Sequence, residues 1–436
     1  MTRGRLEYWI RQEVLGPVVQ WLSPVLHVLA FLWRRMLFRT TFIAVTGSLG
    51  KTTTKECLAL LLESVGRTYR TYRNQNGPQM VALNILRVRP WHRYAVLEVA
   101  GAAPGMMRRS ARLLRPDVAV ILNVLRTHTT VFPDSERHAA EKALLLRALK
   151  RSGVAILNRD DPLVVSMARH TDARVCFFGT TPEASYWADR VSAKWPSRLD
   201  FVLHRGAGSH VIETQLVGAQ WLHAAVAATA TADVLGVSPP DAARILRSAQ
   251  PFPGRLQPVR VPNGAIILRD DYNASIDTIE ASLRVLQEAS AGRRLLVITD
   301  LSDFGRNRKQ RLKYLASRCP QVAEVAVFIG ELAEYGRRRA IEAGLRAENV
   351  HAFPSLWPAA EFLREELKSG DLMLLKGRTT DHAARIFFAQ LGPVGCWKAY
   401  CPKTMLCDIC WELEITPEQM RRALVVPRPP GGCHAE

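Results

Sequence analysis

A segment near the N-terminus, residues 42–54 (FIAVTGSLGKTTT), has the strongest chemical signature in this sequence. Its apolar first half predicts a buried strand, which leads through two glycines into a lysine and three threonines at the start of a helix. Glycines let backbone N–H groups approach a polyphosphate, the lysine supplies positive charge, and a threonine hydroxyl can bind Mg²⁺. Position 45 is Val where the common GxxxxGK pattern has Gly. We interpret the segment as a nucleotide-phosphate loop with the binding residues Gly47, Ser48, Gly50, Lys51, Thr52 and Thr53.

Further polar residues lie at or just after the ends of predicted strands. Glu98 is in the apolar run 94–99, Asn123 and His128 follow the run 118–123, and Asn158 ends the run 154–158. The carboxyl ends of parallel strands meet at one edge of a sheet, where a carboxylate such as Glu98 commonly holds Mg²⁺. Lys142 lies on a predicted helix, 135–149. Taken alone, His128 would more often be structural, but its place near this edge favours a role in the site. For Lys142 the alternative is an ordinary surface lysine on a helix.

The elements that position these residues alternate between strands and helices. This alternation predicts an α/β fold with largely parallel sheets covered by helices. The proline-rich stretch 251–255 (PFPGR) separates two such sets and predicts a hinge between a P-loop domain and a smaller Rossmann-like domain, with a ligand cleft between them. The predicted domains are an N-terminal amphipathic helix at 1–40, a central ATP-binding domain at 41–250, a C-terminal domain at 251–392 and a Cys-rich tail at 393–436.

The composition indicates a folded protein with anionic binding partners. Of its 436 residues, 48% are hydrophobic and 23% are charged, which excludes a disordered chain. The 59 basic and 40 acidic residues give a net charge of +19, which favours nucleotides, acidic substrates or anionic lipid as partners. The basic residues form no long block and no nucleic-acid-binding motif is visible, so nucleic acid is an unlikely partner.

The N-terminal region is apolar but carries a polar stripe, and we see no cleavable signal. Two prolines interrupt the apolar run 14–33, and arginines lie on both sides of it. The polar positions recur at helical spacing: Gly16, Gln20, Ser23, His27 and Arg34. This pattern favours an interfacial amphipathic helix over a membrane span, and hence a cytoplasmic protein with peripheral membrane contact. The alternative is that the apolar side of the helix packs on the body of the protein.

Five of the eight cysteines crowd the C-terminal tail. Cys407 and Cys410 have the CxxC spacing of zinc sites, and Cys396 and Cys401 precede them at irregular intervals. In a reducing cytosol, clustered thiols favour a metal over disulfides. Two interpretations remain open for Cys396, Cys401, Cys407 and Cys410, namely a structural Zn²⁺ site and reduced cysteines in a poorly ordered tail.

The order of the motifs resembles the Mur ligase family, and most closely the branch that adds the D-Ala-D-Ala dipeptide in cell-wall synthesis. The phosphate loop TGSLGKTT is followed by an Asn-rich turn at 73–78, a strand end with Glu98 before a PG, an LN…H segment, a helical EK and N-x-D-D. Later stretches resemble the family's GR, D-x-Y-N-A and KGSR motifs, at 251–259, 270–275 and 371–378. The resemblance covers about residues 41 to 390.

The resemblance implies an ATP-dependent ligase that forms an amide from a carboxylate and an amine. The family forms an acyl phosphate, releases ADP, and then lets the amine displace phosphate. The catalytic residues implied are Lys51, Glu98, His128 and Lys142, the last of which matches a lysine that CO₂ carbamylates. The Mg²⁺ ligands implied are Thr52, Glu98, His128 and Lys142. The further nucleotide contacts implied are Asn158, Arg255, Asp270 and Tyr272. The substrate contacts implied are Asn74, Asn76, Lys376 and Arg378.

Several departures from the family pattern concern the substrates. The phosphate loop begins only some forty residues into the sequence, so we expect no N-terminal UDP-sugar-binding domain and a substrate without UDP, such as an amino acid, a peptide or a secondary-metabolite precursor. The family's G-x-H-x-x-N is Gly218 to His223 here, and its KGSR lacks the Ser. Two alternatives remain, a nucleotide-binding subunit without ligase turnover and a poly-γ-glutamate-type polymer synthetase. The high pI alone would indicate a nucleic-acid-stimulated ATPase.

Overall fold

The computed structural model describes residues 23–73, 75–125, 132, 134–299, 308–399, 401, 403 and 406–429. The chain divides into two compact units. The first comprises the residues up to 250 except the short segments 193–198 and 216–218, which belong to the second unit together with everything from Pro251 onward.

The first unit is built on a sheet of nine strands in the order β2-β3-β1-β4-β5-β6-β7-β8-β9. Its strands are β1 (Thr41–Thr46), β2 (Thr68–Arg70), β3 (Tyr94–Glu98), β4 (Val118–Ile121), β5 (Val154–Asn158), β6 (Arg174–Gly179), β7 (Tyr186–Ser192), β8 (Asp200–Arg205) and β9 (Gly208–Glu213). Pairing is parallel from β2 to β7 and antiparallel from β7 to β9. Strand β1 lies between β3 and β4 and is buried over five of its six residues, as its continuous apolar sequence requires.

The described helices of the first unit mostly connect successive parallel strands. They are α1 (Ser23–Met36), α2 (Lys51–Glu63), α3 (Pro78–Arg87), α4 (Met106–Leu114), α5 (Ser135–Arg147), α6 (Pro162–Ser166), α7 (Leu222–Val234) and α8 (Pro239–Leu246). Because each parallel connection must cross back over the sheet, β1, β3, β4 and β5 all deliver their carboxyl ends to one edge. The first strand of this set leads directly into the phosphate loop.

The second unit has a seven-stranded sheet in the order β14-β13-β12-β15-β11-β10-β16. Its strands are β10 (Gln257–Arg260), β11 (Ile266–Asp270), β12 (Arg293–Ile298), β13 (Val325–Ile329), β14 (Val350–Phe353), β15 (Asp371–Lys376) and β16 (Leu424–Val425). Its described helices are α9 (Ile276–Glu288), α10 (Arg308–Val322), α11 (Ala333–Glu342), α12 (Leu356–Glu366), α13 (Ala384–Ala389) and α14 (Pro417–Arg422). The strands from β14 to β11 are parallel, and β10 and β16 run antiparallel at one edge. The predicted α/β fold with mostly parallel sheets is therefore confirmed.

Helix α1 packs on the first unit through a side that combines Arg34 with apolar residues, and it turns other apolar residues outward. Arg34 is buried, and its guanidinium donates hydrogen bonds to the carbonyl oxygens of Leu114 at 2.7 Å and Arg115 at 2.9 Å. Ala30 and Leu37 are buried beside it. The exposed apolar side chains are Val25, Val28, Leu29, Phe31, Leu32, Met36 and, just beyond the helix, Phe38. The described part of the chain therefore does not cover this apolar side.

The described part of the C-terminal tail packs on the second unit. Cys396, Cys407 and Leu413 are buried in the same hydrophobic cluster as β15 and α13. Strand β16 adds to the edge of the sheet beside β10, with Val425 opposite Val259. Poor order, one of the two interpretations of the cysteine-bearing segment, does not describe these residues.

Candidate active site

The phosphate loop joins β1 to α2 with backbone geometry that requires glycine at two positions. Gly50 has φ of +89° and precedes the first residue of α2, a conformation that L side chains rarely adopt. At Gly47 a Cβ atom would lie 2.9 Å from the Cβ of Leu122. The loop therefore lies directly against the end of β4, and it leads into the amino end of α2, where backbone N–H groups and the helix dipole favour an anion.

Asn123 holds the loop in place from the end of the neighbouring strand. Its side-chain oxygen accepts hydrogen bonds from the backbone N–H groups of Ser48 at 2.9 Å and Leu49 at 2.8 Å. The hydroxyl of Ser48 accepts a hydrogen bond from the backbone of Leu125 at 3.0 Å. The sequence placed Asn123 after a strand but did not assign it this role. The signal was a polar residue directly after an apolar run that neighbours the loop strand.

The ammonium group of Lys51 lies over the loop. It donates hydrogen bonds to the carbonyl oxygens of Gly47 at 2.6 Å and Ser48 at 3.2 Å. Carbonyl oxygens are weaker partners than phosphate oxygens, because a charge-assisted bond to an anion is stronger than one to a neutral group. The position suits a lysine that transfers its hydrogen bonds to a bound polyphosphate.

Glu98, at the end of β3, forms a polar cluster with residues from two other segments. The hydroxyl of Thr52 donates to one carboxylate oxygen at 3.0 Å, and the side-chain amide of Asn76 donates to the other at 2.8 Å. Thr52 and Glu98 are both buried. A hydroxyl and a carboxylate are the hard oxygen ligands that Mg²⁺ prefers, and Mg²⁺ in ATP sites takes its remaining ligands from phosphate and water. These two residues fit a Mg²⁺ site, although the described residues include no group of three or more His, Cys, Asp or Glu side chains placed to hold a metal.

Lys142 of α5 is buried close to Lys51. Burial lowers the pKa of Lys142 well below its ordinary value, the ammonium group of Lys51 adds to this effect, and Glu141 opposes it. The carboxylate of Glu141 is engaged elsewhere, since it accepts hydrogen bonds from the backbone N–H groups of Gly105 at 3.1 Å and Met107 at 2.8 Å. Lys142 is therefore held toward its neutral amine form. The structure thus brings Lys51, Thr52, Glu98 and Asn76 to one edge and Lys142 beside Lys51, whereas Asn74 and His128 lie outside the described residues.

Asn158 and its neighbours form a second polar group, at the end of β5. The side-chain amide of Asn158 donates to the carbonyl of Leu122 at 2.7 Å, and its oxygen accepts from the backbone of Asp160 at 3.0 Å. Asp160 also pairs with the ring of His223 at 2.7 Å. Burial alone would raise the pKa of Asp160, but the hydrogen bonds from His223 and Thr180 outweigh it and lower the pKa. Asn158 thus ties two strand ends together, and its contact with adenine stays a prediction.

In the second unit, Asp270 and Lys376 face each other at the ends of β11 and β15. The ammonium group of Lys376 lies 2.5 Å from the carboxylate of Asp270, which also accepts a hydrogen bond from the hydroxyl of Ser282. Both charged residues are buried, Lys376 at 1% exposure. Burial lowers the pKa of Lys376, and the charge of Asp270 opposes this effect. The predicted contact of Lys376 with a substrate carboxylate does not fit this environment, because its charge is already compensated within the core.

The other predicted residues of the second unit lie nearer the surface or in ring contacts. The guanidinium carbon of Arg255 lies 4.3 Å from the centre of the Tyr272 ring, a cation–π geometry. Arg378 donates to the hydroxyl of Thr380 at 2.6 Å and is partly exposed. Arg378 therefore remains the better placed of the two residues predicted to bind the carboxylate of an amine substrate.

Comparisons with known proteins agree with this geometry. Residues 45–232 match the family model of the Mur ligase middle domain, and residues 254–379 match that of the Mur ligase glutamate ligase domain. The chain is 30% identical over 367 residues to a UDP-N-acetylmuramoyl-tripeptide–D-alanyl-D-alanine ligase of Mycobacterium leprae, which covers 77% of this chain and 70% of the relative.

Two crystal structures are similar to this chain over most of its length. MurF from Acinetobacter baumannii has a TM-score of 0.76 at 26% identity, over 83% of this chain and 79% of that one. MurF ligase from Thermotoga maritima in complex with ADP has a TM-score of 0.71 at 25% identity, over 84% of this chain and 83% of that one.

Proposed function

The chain belongs to the Mur ligase family and is an ATP-dependent acid–amino acid ligase, and from this premise we propose that it couples a peptide carboxylate to the amine of an amino acid or dipeptide. The observation that carries the proposal is the cluster at the carboxyl ends of β1 and β3, where Lys51 lies over the phosphate loop and Thr52 contacts Glu98. Relatives such as the ligase of Mycobacterium leprae are named for UDP-N-acetylmuramoyl-tripeptide and D-alanyl-D-alanine. Their substrates are therefore the first to test here.

The reaction that this cluster suits has two steps. In the first, a carboxylate oxygen of the substrate bonds to the γ-phosphorus of ATP while the bond to the bridging β–γ oxygen breaks, and ADP leaves. In the second, the amine attacks the acyl carbon, phosphate leaves with its electron pair, and the nitrogen loses a proton. Lys51 and the N–H groups of the loop stabilise the charge of the transferring phosphoryl group. Mg²⁺ held by Thr52 and Glu98 would neutralise further negative charge on the phosphate oxygens.

Lys142 supports the proposal because its surroundings favour the neutral amine form of its side chain. A neutral amine adds CO₂ and releases one proton to form a carbamate, whereas an ammonium group does not react. Burial and the charge of Lys51 favour the neutral amine. The product would carry a negative charge beside the positive charge of Lys51, which offsets the cost of burying that anion. We propose that Lys142 acts as this carbamate, a carboxylate-like group for the metal site.

Amine-dependent ADP release tests the function. The full chain is incubated with Mg·ATP, D-alanyl-D-alanine and either UDP-N-acetylmuramoyl-tripeptide or the same tripeptide without the nucleotide, and products are identified by mass spectrometry. A product only with the UDP-linked peptide would overturn the expectation of a substrate without UDP, and a product with the free peptide would support it. ADP release that depends on neither the amine nor the carboxylate would contradict the ligase proposal and favour a nucleotide-binding subunit. Repeated addition would identify a polymer synthetase.

We also propose that helix α1 lies on an anionic membrane surface. Val28, Leu32 and Met36 recur on one face of the helix and are 59%, 53% and 65% exposed. Arg35 and Arg39 are exposed beside this face and match the negative charge of anionic headgroups. Among the described residues, no helix has the length and hydropathy needed to cross a bilayer. The arrangement is that of a helix lying in the plane of the interface.

Vesicle binding tests the membrane proposal. The full chain should sediment with phosphatidylglycerol vesicles more than with phosphatidylcholine vesicles, and Leu32→Glu should reduce binding roughly tenfold, since burying a charge in the interface removes a large apolar contribution. Val191→Glu, at an exposed position on β7, is the matched control and should bind as the unaltered protein does. Equal binding by Leu32→Glu and Val191→Glu would contradict the proposal.

A further inference from the structure

Four cysteines of the C-terminal segment line one small cavity in the second unit. The lining includes Cys396, Cys401, Cys407 and Cys410 together with His382 and Arg385. The sulfur of Cys407 lies 3.4 Å from Nδ1 of His382. All four cysteines are free thiols. Residues up to 14 positions apart in the sequence, from Cys396 to Cys410, thus line one space.

The segment that carries these thiols has little regular structure of its own. Around the cysteines it consists of two short 3₁₀ turns, Cys407–Ile409 and Trp411–Leu413. It is nonetheless tied to the unit on both sides of the cavity, because Arg269 binds Asp408 with bonds of 2.7 and 3.0 Å and Arg385 donates to the carbonyl of Lys398 at 2.7 Å. The described residues around the cavity are therefore anchored to the unit at Asp408 and at Lys398.

The wall of the cavity carries buried positive charge. Arg385 is only 2% exposed, and its Nε atom has no hydrogen-bond partner among the described residues. Lys403 and Glu412 also line the cavity, and they form an ion pair at 3.3 Å. A buried guanidinium next to an apolar cavity is costly unless an anion faces it. Since the carboxylate of Glu412 is paired with Lys403 and Lys398, the remaining groups in the cavity that can become anions are the cysteine thiols.

We propose that Cys396, Cys401, Cys407 and Cys410 bind one Zn²⁺ ion as a structural four-thiolate site. Binding requires each thiol to lose its proton, and the resulting site has a net charge of −2, which Arg385 offsets in part. CxxC, here Cys407 and Cys410, supplies two ligands from one turn, and Cys396 and Cys401 supply the other two from the preceding loop. His382 lies beside the sulfur of Cys407 and orients it.

The thiols surround the cavity without yet forming a complete coordination set, since no three His, Cys, Asp or Glu side chains of the described chain are in position to hold a metal. Zinc requires sulfur atoms at about 2.3 Å from the ion, so binding draws the four cysteines toward a common centre. The consequence is a crosslink that fixes the C-terminal segment, and with it β16, to the sheet.

Metal analysis of the full chain tests the proposal independently of ligase activity. Protein produced with added zinc should contain about one zinc per chain, and Cys407→Ser and Cys410→Ser should each lose most of it. Cys176→Ser, a buried free cysteine of the first unit, is the matched control and should retain the metal. Replacing zinc by Co²⁺ should give the intense visible and near-ultraviolet absorption of tetrahedral cobalt thiolate.

Three outcomes would overturn the proposal: protein that takes up neither zinc nor cobalt, zinc that persists in both variants, or iron with acid-labile sulfide in place of zinc. If Cys407→Ser fails to fold, the zinc content of Cys401→Ser is measured instead, because Cys401 is only partly buried. Chelation should lower the thermal stability of the unaltered protein and leave that of Cys401→Ser unchanged.

Discussion

The two units each place a carboxylate at the end of a parallel strand, but they surround it differently. In the first unit, Glu98 ends β3 and accepts hydrogen bonds from the hydroxyl of Thr52 and the amide of Asn76. In the second unit, Asp270 ends β11 and contacts the ammonium group of Lys376 at 2.5 Å. The carboxylate at this topological position thus contacts neutral donors in one sheet and a buried cation in the other.

This difference indicates which of the two ends carries chemistry. A buried carboxylate bonded to neutral donors still attracts a cation, and that is what a Mg²⁺ ligand needs. A buried carboxylate paired with an ammonium group has no remaining charge to offer, and it contributes to the fold because removing either partner leaves the other uncompensated. Glu98 is therefore expected to affect activity, and Asp270 to affect stability.

Substitutions of Lys51 and Lys376 should give the largest effects, and they test the difference between the two strand ends most directly. Lys51→Ala should reduce ADP release roughly 10³-fold without a change in the free energy of unfolding, because it removes a charge from the transferring phosphoryl group. Lys376→Met should instead lower the free energy of unfolding by about 3–5 kcal/mol, because it leaves Asp270 buried and unpaired. Steady-state kinetics and urea unfolding measure the two quantities.

Lys309→Ala, at an exposed position on α10, is the control for both variants and should match the unaltered protein. The assignment of the phosphate loop fails if Lys51→Ala turns over ATP at nearly the original rate.

The two carboxylates give the second test. Glu98→Gln should lower the rate roughly 10²-fold and weaken the dependence on Mg²⁺ concentration, since an amide is a poorer ligand for a hard cation than a carboxylate. Asp270→Asn should cost about 3–5 kcal/mol of stability, and the double variant Asp270→Asn/Lys376→Met should cost less than the sum of the two single ones. Activity and urea unfolding are measured on all of them. A large stability loss in Glu98→Gln would remove the distinction between the two strand ends.

The parts of this picture that the sequence predicts are those in which neighbouring residues act together. The strand, the glycines, Lys51 and the start of α2 follow one another within 42–54, so the loop could be predicted from local pattern. Lys376 could not be assigned in the same way, because its partner Asp270 lies 106 positions away and its burial depends on the packed sheet. The antiparallel strands β7 to β9 were not predicted, and the exposed residues of β9 and of the end of β7 weaken the apolar pattern there.

Helix α1 shows a different limit of the sequence. The spacing of its polar residues separates two sides, but it does not show which apolar residues meet the core. The buried side combines Ala30 and Leu37 of the hydrophobic core with Arg34, whose guanidinium binds the carbonyl oxygens of Leu114 and Arg115. Those carbonyl groups lie about 80 positions away in the sequence, so this placement of a buried arginine does not follow from the helical pattern.

A substitution of Lys142 tests whether a further residue of the first unit belongs to the metal site. Lys142→Ala should lose most of its activity, and short-chain carboxylic acids such as formate or acetate should restore part of it by occupying the space of the missing carbamate. The measurement is ADP release as a function of added carboxylate. Glu98→Gln serves as the control, because its side chain leaves no space and the acids should not restore its activity. Unchanged activity in Lys142→Ala would mean that this lysine is not part of the metal site.

The smallest effect concerns the dependence of stability on pH. Burial and Lys51 lower the pKa of Lys142 in the folded state, so between that pKa and its ordinary value of 10.5 the unfolded chain binds more protons at this position. The free energy of unfolding therefore rises with pH across this range, by at most about 1.4 kcal/mol per pH unit for one proton. In CO₂-free buffer, where the lysine is an amine, Lys142→Met should flatten this rise, and the exposed variant Lys309→Met should not. Parallel stability curves for the two variants would show that Lys142 keeps its proton on folding, and the carbamate would then lack the neutral amine from which it forms.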